Sequence, residues 1–172
     1  MRHSQPAKPV IGFLNSGLPG MEQDRRSSTG ARRLEQVAML TLAEANQAIA
    51  AALARAQNMK MEIAVSVCDE GGRLVAFQRM DGILLEKIWG AIGKAKAAAA
   101  TRKPSGEGVS YSDLRSVWRV AGAGLPITGS PGGLPITRNA LTVGAIGVSG
   151  SSTDREDEQF AKAGVEALNQ SS

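Results

Sequence analysis

Arg79, Asp81 and Lys94 are the side chains in this sequence whose types and spacing could act together. A guanidinium grips a carboxylate through two parallel hydrogen bonds, a carboxylate handles a proton, and a lysine supplies charge or an amine. Arg79 stands two residues before Asp81 and just ahead of a helix-like stretch carrying Lys94 and Lys96, so a short connection could gather all three types of group. The same residues equally suit an ion-pair network in which Asp81 binds Arg79 or a lysine and ties two elements together. Asp69 and Ser149 are further polar candidates for ligand binding. A second constellation is made of glycines. Gly150 leads from a strand into a helix N-terminus, where free N–H groups and the helix dipole attract a carboxylate or phosphate, and Gly132 and Gly133 could add further N–H groups. These glycines serve equally well to permit turns and close strand packing.

Other chemistries are excluded by what the chain lacks. With one cysteine, Cys68, and one histidine, His3, neither an intramolecular disulfide nor a Cys/His zinc site can form. No imidazole in the body of the chain can activate a serine or cysteine, which rejects the usual hydrolase triads. Gly144, Gly147 and Gly150 do not have the spacing of a dinucleotide fingerprint, and no phosphate-binding loop motif is present. The net charge of +4 is concentrated in residues 1–40, which hold six Lys/Arg against three acids. The remainder is nearly neutral and no aromatics interleave with the basic residues, so nucleic acid is not expected as a partner. The N-terminus lacks the apolar core of a secretion signal and no run reaches the ~20 apolar residues of a membrane span, so a cytoplasmic, membrane-free protein is expected.

The elements that must position these groups follow from periodicity. Residues 1–40 mix Pro, Gly, Ser and Arg and read as a basic arm, with residues 10–14 able to pack on a neighbour. A domain over 41–172 follows. Thr41 and Glu44 have the spacing of a capping box, and Leu42, Ala45, Ile49, Leu53 and Ala56 make one apolar stripe of a first helix. Residues 63–82 read as a β-hairpin about Glu70-Gly71-Gly72, with Ile63, Val65 and Val67 on one face and Cys68 on the other. Residues 83–101 form a second helix with a greasy stripe (Leu85, Ile88, Ile92, Ala95, Ala99) and a small-residue side (Gly90, Gly93, Ala97, Ala100). That side predicts contact with another helix or another subunit, hence a homo-oligomer. Pro104 closes this helix. Residues 105–124 are an irregular connection in which Tyr111, Leu114, Val117, Trp118 and Val120 suggest a short amphipathic cover. Two strands, 134–137 and 141–149, meet around Arg138-Asn139. Thr153 with Glu156 caps a last helix reaching Leu168. The order α, ββ, α, ββ, α predicts an α+β layered fold around a mainly antiparallel sheet. Aromatics are 3% of the chain, so its core must be aliphatic and closely packed.

The blocks IAVSVCDEGGRLVAFQRMDG and GGLPITRNALTVGAIGVSG, separated by IGKAKAAAA, carry a resemblance. Their order resembles the GlcG and HbpS family, whose domain also forms the C-terminal part of PduO-type corrinoid adenosyltransferases. Arg79 and Asp81 fall in its R-M-D-G motif, Lys94 in its G-K-A, and Ser149-Gly150 in its terminal V-S-G. The resemblance implies a profilin-like α/β/α arrangement, oligomeric, with members tied to haem binding, haem degradation and catabolic operons. Two departures stand out. Relatives that bind haem can use an axial histidine, absent from this body, which leaves Met80, Cys68 or Tyr111 as ligands. A Glu-x-x-Glu pattern linked to surface iron is also missing; Asp154 and Asp157 share that spacing but fall in the first turn of the last helix, where acids favour the dipole anyway.

Two functions are therefore expected. The first is a small-ligand-binding protein that holds haem, another tetrapyrrole or a different small molecule in a groove. The second is a cofactor-free isomerase, lyase or hydrolase acting on a small organic acid. In the second reading Arg79, Asp81 and Lys94 are catalytic, while Asp69, Lys96, Gly132, Gly133, Ser149 and Gly150 bind the ligand. No metal is expected in either.

Overall fold

The computed structural model describes residues 39–107 and 127–170, all within the unit Glu35–Ser172. His3, residues 10–14 and the 111–120 stretch, including Tyr111, lie outside the described residues, as does all but the end of the expected arm.

Helix α1 (Leu42–Asn58) begins where the sequence places it. The Thr41 hydroxyl accepts the Glu44 N–H, and the Glu44 carboxylate accepts the Thr41 N–H at 2.8 Å, a complete capping box. Its buried face is Ala45, Ala48, Ile49, Ala52 and Ala56, so Leu42, expected on this stripe, is turned out to solvent instead. Strands β1 (Ala64–Asp69) and β2 (Leu74–Arg79) form the expected hairpin. Asp69 fixes its turn, accepting N–H bonds from Gly71 and Arg73 at 2.9 Å each and pairing with the Arg73 guanidinium. Helix α2 (Leu85–Thr101) ends three residues before Pro104, because Arg102 turns left-handed (φ 60°) and donates its N–H to the Ala98 carbonyl. Strands β3 (Gly133–Arg138) and β4 (Leu141–Ser149) follow, then helix α3 (Asp154–Asn169), closed by a second complete capping box at Thr153 and Glu156.

The four strands stand in the order β2-β1-β4-β3, every neighbour antiparallel. This is the expected α+β fold. Two helices, α1 and α3, cover one face, and α2 lies over the other. Ile63, Val65, Val67, Ile146 and Val148 meet α1 and α3 on the first face, with Phe160 the large side chain at its centre. The period of two sends Ser66, Cys68, Ala145, Gly147 and Ser149 to the other face.

That second face is almost without bulk, and α2 matches it. A Cβ on Gly147 would collide with the Ala91 carbonyl and the Ala95 N–H, one on Gly133 with the Lys94 carbonyl, and one on Gly90 would lie 2.7 Å from the Ser149 hydroxyl. Part of the helix's small-residue side, expected to await another helix or subunit, therefore rests on the sheet of its own domain. The central strands have no Cβ to keep the helix away at Gly147.

Two outcomes follow. Gly147→Val places branched carbon into helix backbone and should cost at least the ~1–3 kcal/mol of an overpacked core; a urea midpoint unchanged from the parent would refute the close contact. The second concerns acid. Burial pushes the Glu44 carboxyl up, but the hydrogen bonds from Thr41 and the Arg138 guanidinium, which bridges α1 to β3, outweigh it and hold its pKa below the ordinary value. Stability from a lowered carboxylate pKa is present above the unfolded pKa and is lost as pH falls through the folded one. Glu44→Gln should therefore flatten the loss of stability on acidification through the carboxylate range, read from urea unfolding as a function of pH.

Candidate functional site

The predicted trio does not converge. Arg79 and Asp81 are exposed and take part in no ion pair among the described residues, so neither is joined to a lysine there. Lys94 is buried, and its ammonium lies 2.7 Å from Asp157 Oδ2 and 3.2 Å from Asp154 Oδ1, both at the start of α3. The two aspartates expected to serve the dipole alone hold this lysine as well. The Asp157 side chain is only 4% exposed, and its other oxygen accepts the Ser151 N–H at 3.1 Å and the Ser151 hydroxyl at 2.6 Å. Every oxygen of this buried carboxylate is thus engaged, the condition under which a buried pair is tolerated.

The remaining candidates separate in the same way. Lys96 lies two positions from Lys94, about 200° around the helix, and is buried toward β1 and β2 beside Ser66, Cys68 and Leu74. Burial pushes its ammonium pKa down, opposed by Cys68, whose own thiol is pushed up to about 12, first by burial and then by Asp69. Cys68 is therefore a protonated core residue at neutral pH. Asp69 is committed to the hairpin turn. Gly132 (φ +117°) packs on Asp157 and Lys94, and Gly133 donates its N–H to the Ser105 hydroxyl at 2.9 Å. These glycines bring backbone against side chains.

Gly150 is different. It has φ +142°, lies against the Glu62 carbonyl and Ile83, and lines an open cavity of about 330 Å³. The other walls are Lys60, Met61 and Glu62 after α1, Gly82 to Leu84 and Lys87 at the start of α2, and Ser151 and Ser152 before α3. Lys60 and Lys87 are paired with no carboxylate among the described residues. Sequence reasoning found Gly150 here and missed Lys60, Glu62 and Lys87, which carry no joint spacing signal because Lys60 and Glu62 lie in the connection after α1 whereas Lys87 lies in the first turn of α2. Chemically, the cavity offers two cations, the carboxylate of Glu62, short apolar walls and a serine-bearing turn.

An antiparallel four-stranded sheet between a helix pair and one closely seated helix, with an open cavity at its margin, defines a small three-layer α/β/α domain among the described residues. The description "Haem degrading protein HbpS-like" matches residues 40–166, and the chain belongs to that family. It is 30% identical over 129 residues to an uncharacterised 15.0 kDa protein from the dhaT-dhaS intergenic region of Citrobacter freundii, covering 71% of this chain and 87% of that one. It is 33% identical over 106 residues to the protein GlcG of Escherichia coli, covering 61% and 77%. Among solved structures, a double mutant of Streptomyces reticuli HbpS superposes with a TM-score of 0.64 at 25% identity, covering 92% of this chain and 97% of that one. A PduOC:haem complex superposes at 0.63 and 26% identity, covering 76% and 96%. No helix among the described residues is long and apolar enough to cross a membrane.

The buried pair generates a stability test. Lys94→Met leaves Asp157 buried without its counter-charge and should cost about 3–5 kcal/mol, the loss expected when one partner of a buried pair is removed. Urea unfolding measures it, and a loss below ~1 kcal/mol, the level of an exposed pair, would show that water reaches the site.

Proposed function

We propose that this chain is a small-ligand-binding protein whose ligand is an amphipathic carboxylate, a tetrapyrrole such as haem being the first candidate. The observation that carries this reading is the pair of lysines, Lys60 and Lys87, without carboxylate partners on a cavity that also presents Met61, Ile83 and Leu84. Leu84 is 61% exposed and adds apolar surface beside the opening. Ammonium groups there meet ligand carboxylates, while the apolar walls meet a ring. The membership of the HbpS-like family and the likeness to a PduOC:haem complex support the same class of ligand.

The fit to haem divides between its parts. A cavity of about 330 Å³ is at the lower end of the roughly 300–1,000 Å³ that enclose drug-sized ligands, so it would take the carboxylate end of a macrocycle and not the whole ring. The iron is less well served. The described residues include no histidine, Cys68 is buried with its thiol protonated, and the Met80 sulfur accepts the Ile63 N–H at 3.4 Å. Recognition therefore rests on the carboxylates and the ring.

Titration with haem and with metal-free protoporphyrin, followed at the Soret band, tests this. Both should bind, with affinities within about tenfold of each other, that is ~1.4 kcal/mol. Lys60→Ala with Lys87→Ala should weaken both by roughly 1.5–3 kcal/mol per charged hydrogen bond lost, with little change in melting temperature. Absence of binding, or binding indifferent to both lysines, would overturn the assignment.

A further inference from the structure

Resting on the reading that a ligand occupies this cavity, we infer that Lys94 and Asp157 are positioning residues for its Gly150–Ser152 wall. Neither lines the cavity. Ser151 does: its N–H donates to Asp157 Oδ1 at 3.1 Å, and its hydroxyl lies 2.6 Å from the same oxygen, sharing its single proton between that carboxylate and the Thr153 carbonyl at 2.7 Å. The opposite oxygen of that carboxylate is held by Lys94 at 2.7 Å. A chain of charge-assisted bonds thus runs from the centre of α2, through the first turn of α3, to a residue on the cavity wall.

The wall needs such an anchor. Gly150 lies in a backbone region that only glycine adopts readily, and Ser151 and Ser152 belong to no helix or strand. Asp157 has no freedom to follow a displaced Ser151. A Cβ on Gly132 would lie 2.8 Å from the Asp157 Cβ and 3.1 Å from the Lys94 Cδ, so backbone closes the space on that side. The ammonium is fixed by two carboxylates, and its helix is seated on Gly133 and Gly147. The Ser151 N–H is consequently spent on Asp157, and the wall presents a fixed outline to whatever enters. Lys94, which the sequence marks for catalysis, acts here at two bonds' remove from the cavity.

The test uses the full chain and two readouts. Without ligand, the Ser151 amide is followed by NMR. Lys94→Met should move its resonance and speed its hydrogen exchange, although Lys94 does not touch Ser151. With protoporphyrin as the probe, Lys94→Met and Asp157→Asn should each weaken binding about tenfold or more. In the Ser151→Ala background the effect of Asp157→Asn should shrink, since residues acting through one bond are not additive. Glu44→Gln, which loosens a different ion pair, should lower the melting temperature and leave protoporphyrin affinity unchanged. Should Lys94→Met unfold the chain, Asp154→Asn, which removes the more exposed partner of the same lysine, takes its place with smaller changes in the same direction. An unmoved Ser151 amide, or affinities that track melting temperature alone across all variants, would overturn the inference. Failure of the parent to bind protoporphyrin would refute the ligand assignment, and the amide readout would still decide the anchor.

Discussion

The fold depends on one close approach, that of α2 to the face of β1, β4 and β3. Where Gly147 passes under the helix there is no side chain between the strand and the backbone at Ala91 and Ala95, and Gly133 meets the Lys94 carbonyl in the same manner. Dispersion forces fall steeply with separation, so a helix seated this near gains contacts that larger side chains would forfeit by propping it away. The low aromatic content follows. Directly under α2 the layer is too thin for rings; Phe77 stands on that face only out on the edge strand β2, and the large fully buried aromatic, Phe160, lies in the thicker layer under α1 and α3.

The same approach decides where the charges go. A helix flush against a sheet cannot pass a lysine through the contact, so Lys94 and Lys96 leave toward opposite flanks and remain buried there. Lys94 finds two aspartates at the start of α3, where carboxylates also suit the helix dipole. A buried ion pair contributes little net stability compared with an apolar replacement, but it defines direction: only one placement of α3 brings Asp157 to that ammonium. At the far side of the domain Glu44 joins the cap of α1 to Arg138 on β3, so each of the two helices on the first face is bound by charge to another element.

Much of this architecture is legible in the sequence because it is local. The two capping boxes, the Gly-Gly hairpin and the alternation of Val65 and Val67 each declare themselves within a few residues, and each stands where the pattern puts it. The small side of α2 is legible as a packing surface, but its partner is not, since a glycine on β4 and a helix of another subunit demand the same thing of Gly90. The cavity is the least legible part. Its charges come from the connection after α1 and the first turn of α2, its other walls from the turns after β2 and β4, and nothing in the spacing of Lys60, Glu62 and Lys87 shows that these segments meet there. Arg79 and Asp81 mislead for the converse reason: closeness in sequence to α2 says nothing about the direction in which an edge strand turns its last side chains.

The order β2-β1-β4-β3 leaves β2 and β3 each with one rim unpaired among the described residues. On β3 that rim is interrupted, because Pro135 sits opposite Ala145 within the ladder and has no N–H to offer outward. A strand approaching from that side would lose a rung in the middle of six residues. The hairpin at the other rim has a register break between Val67 and Cys68, which adds twist beside the outer strand. Pro135 at one rim and the register break beside the other are both devices that make a sheet edge a poor template for a further strand.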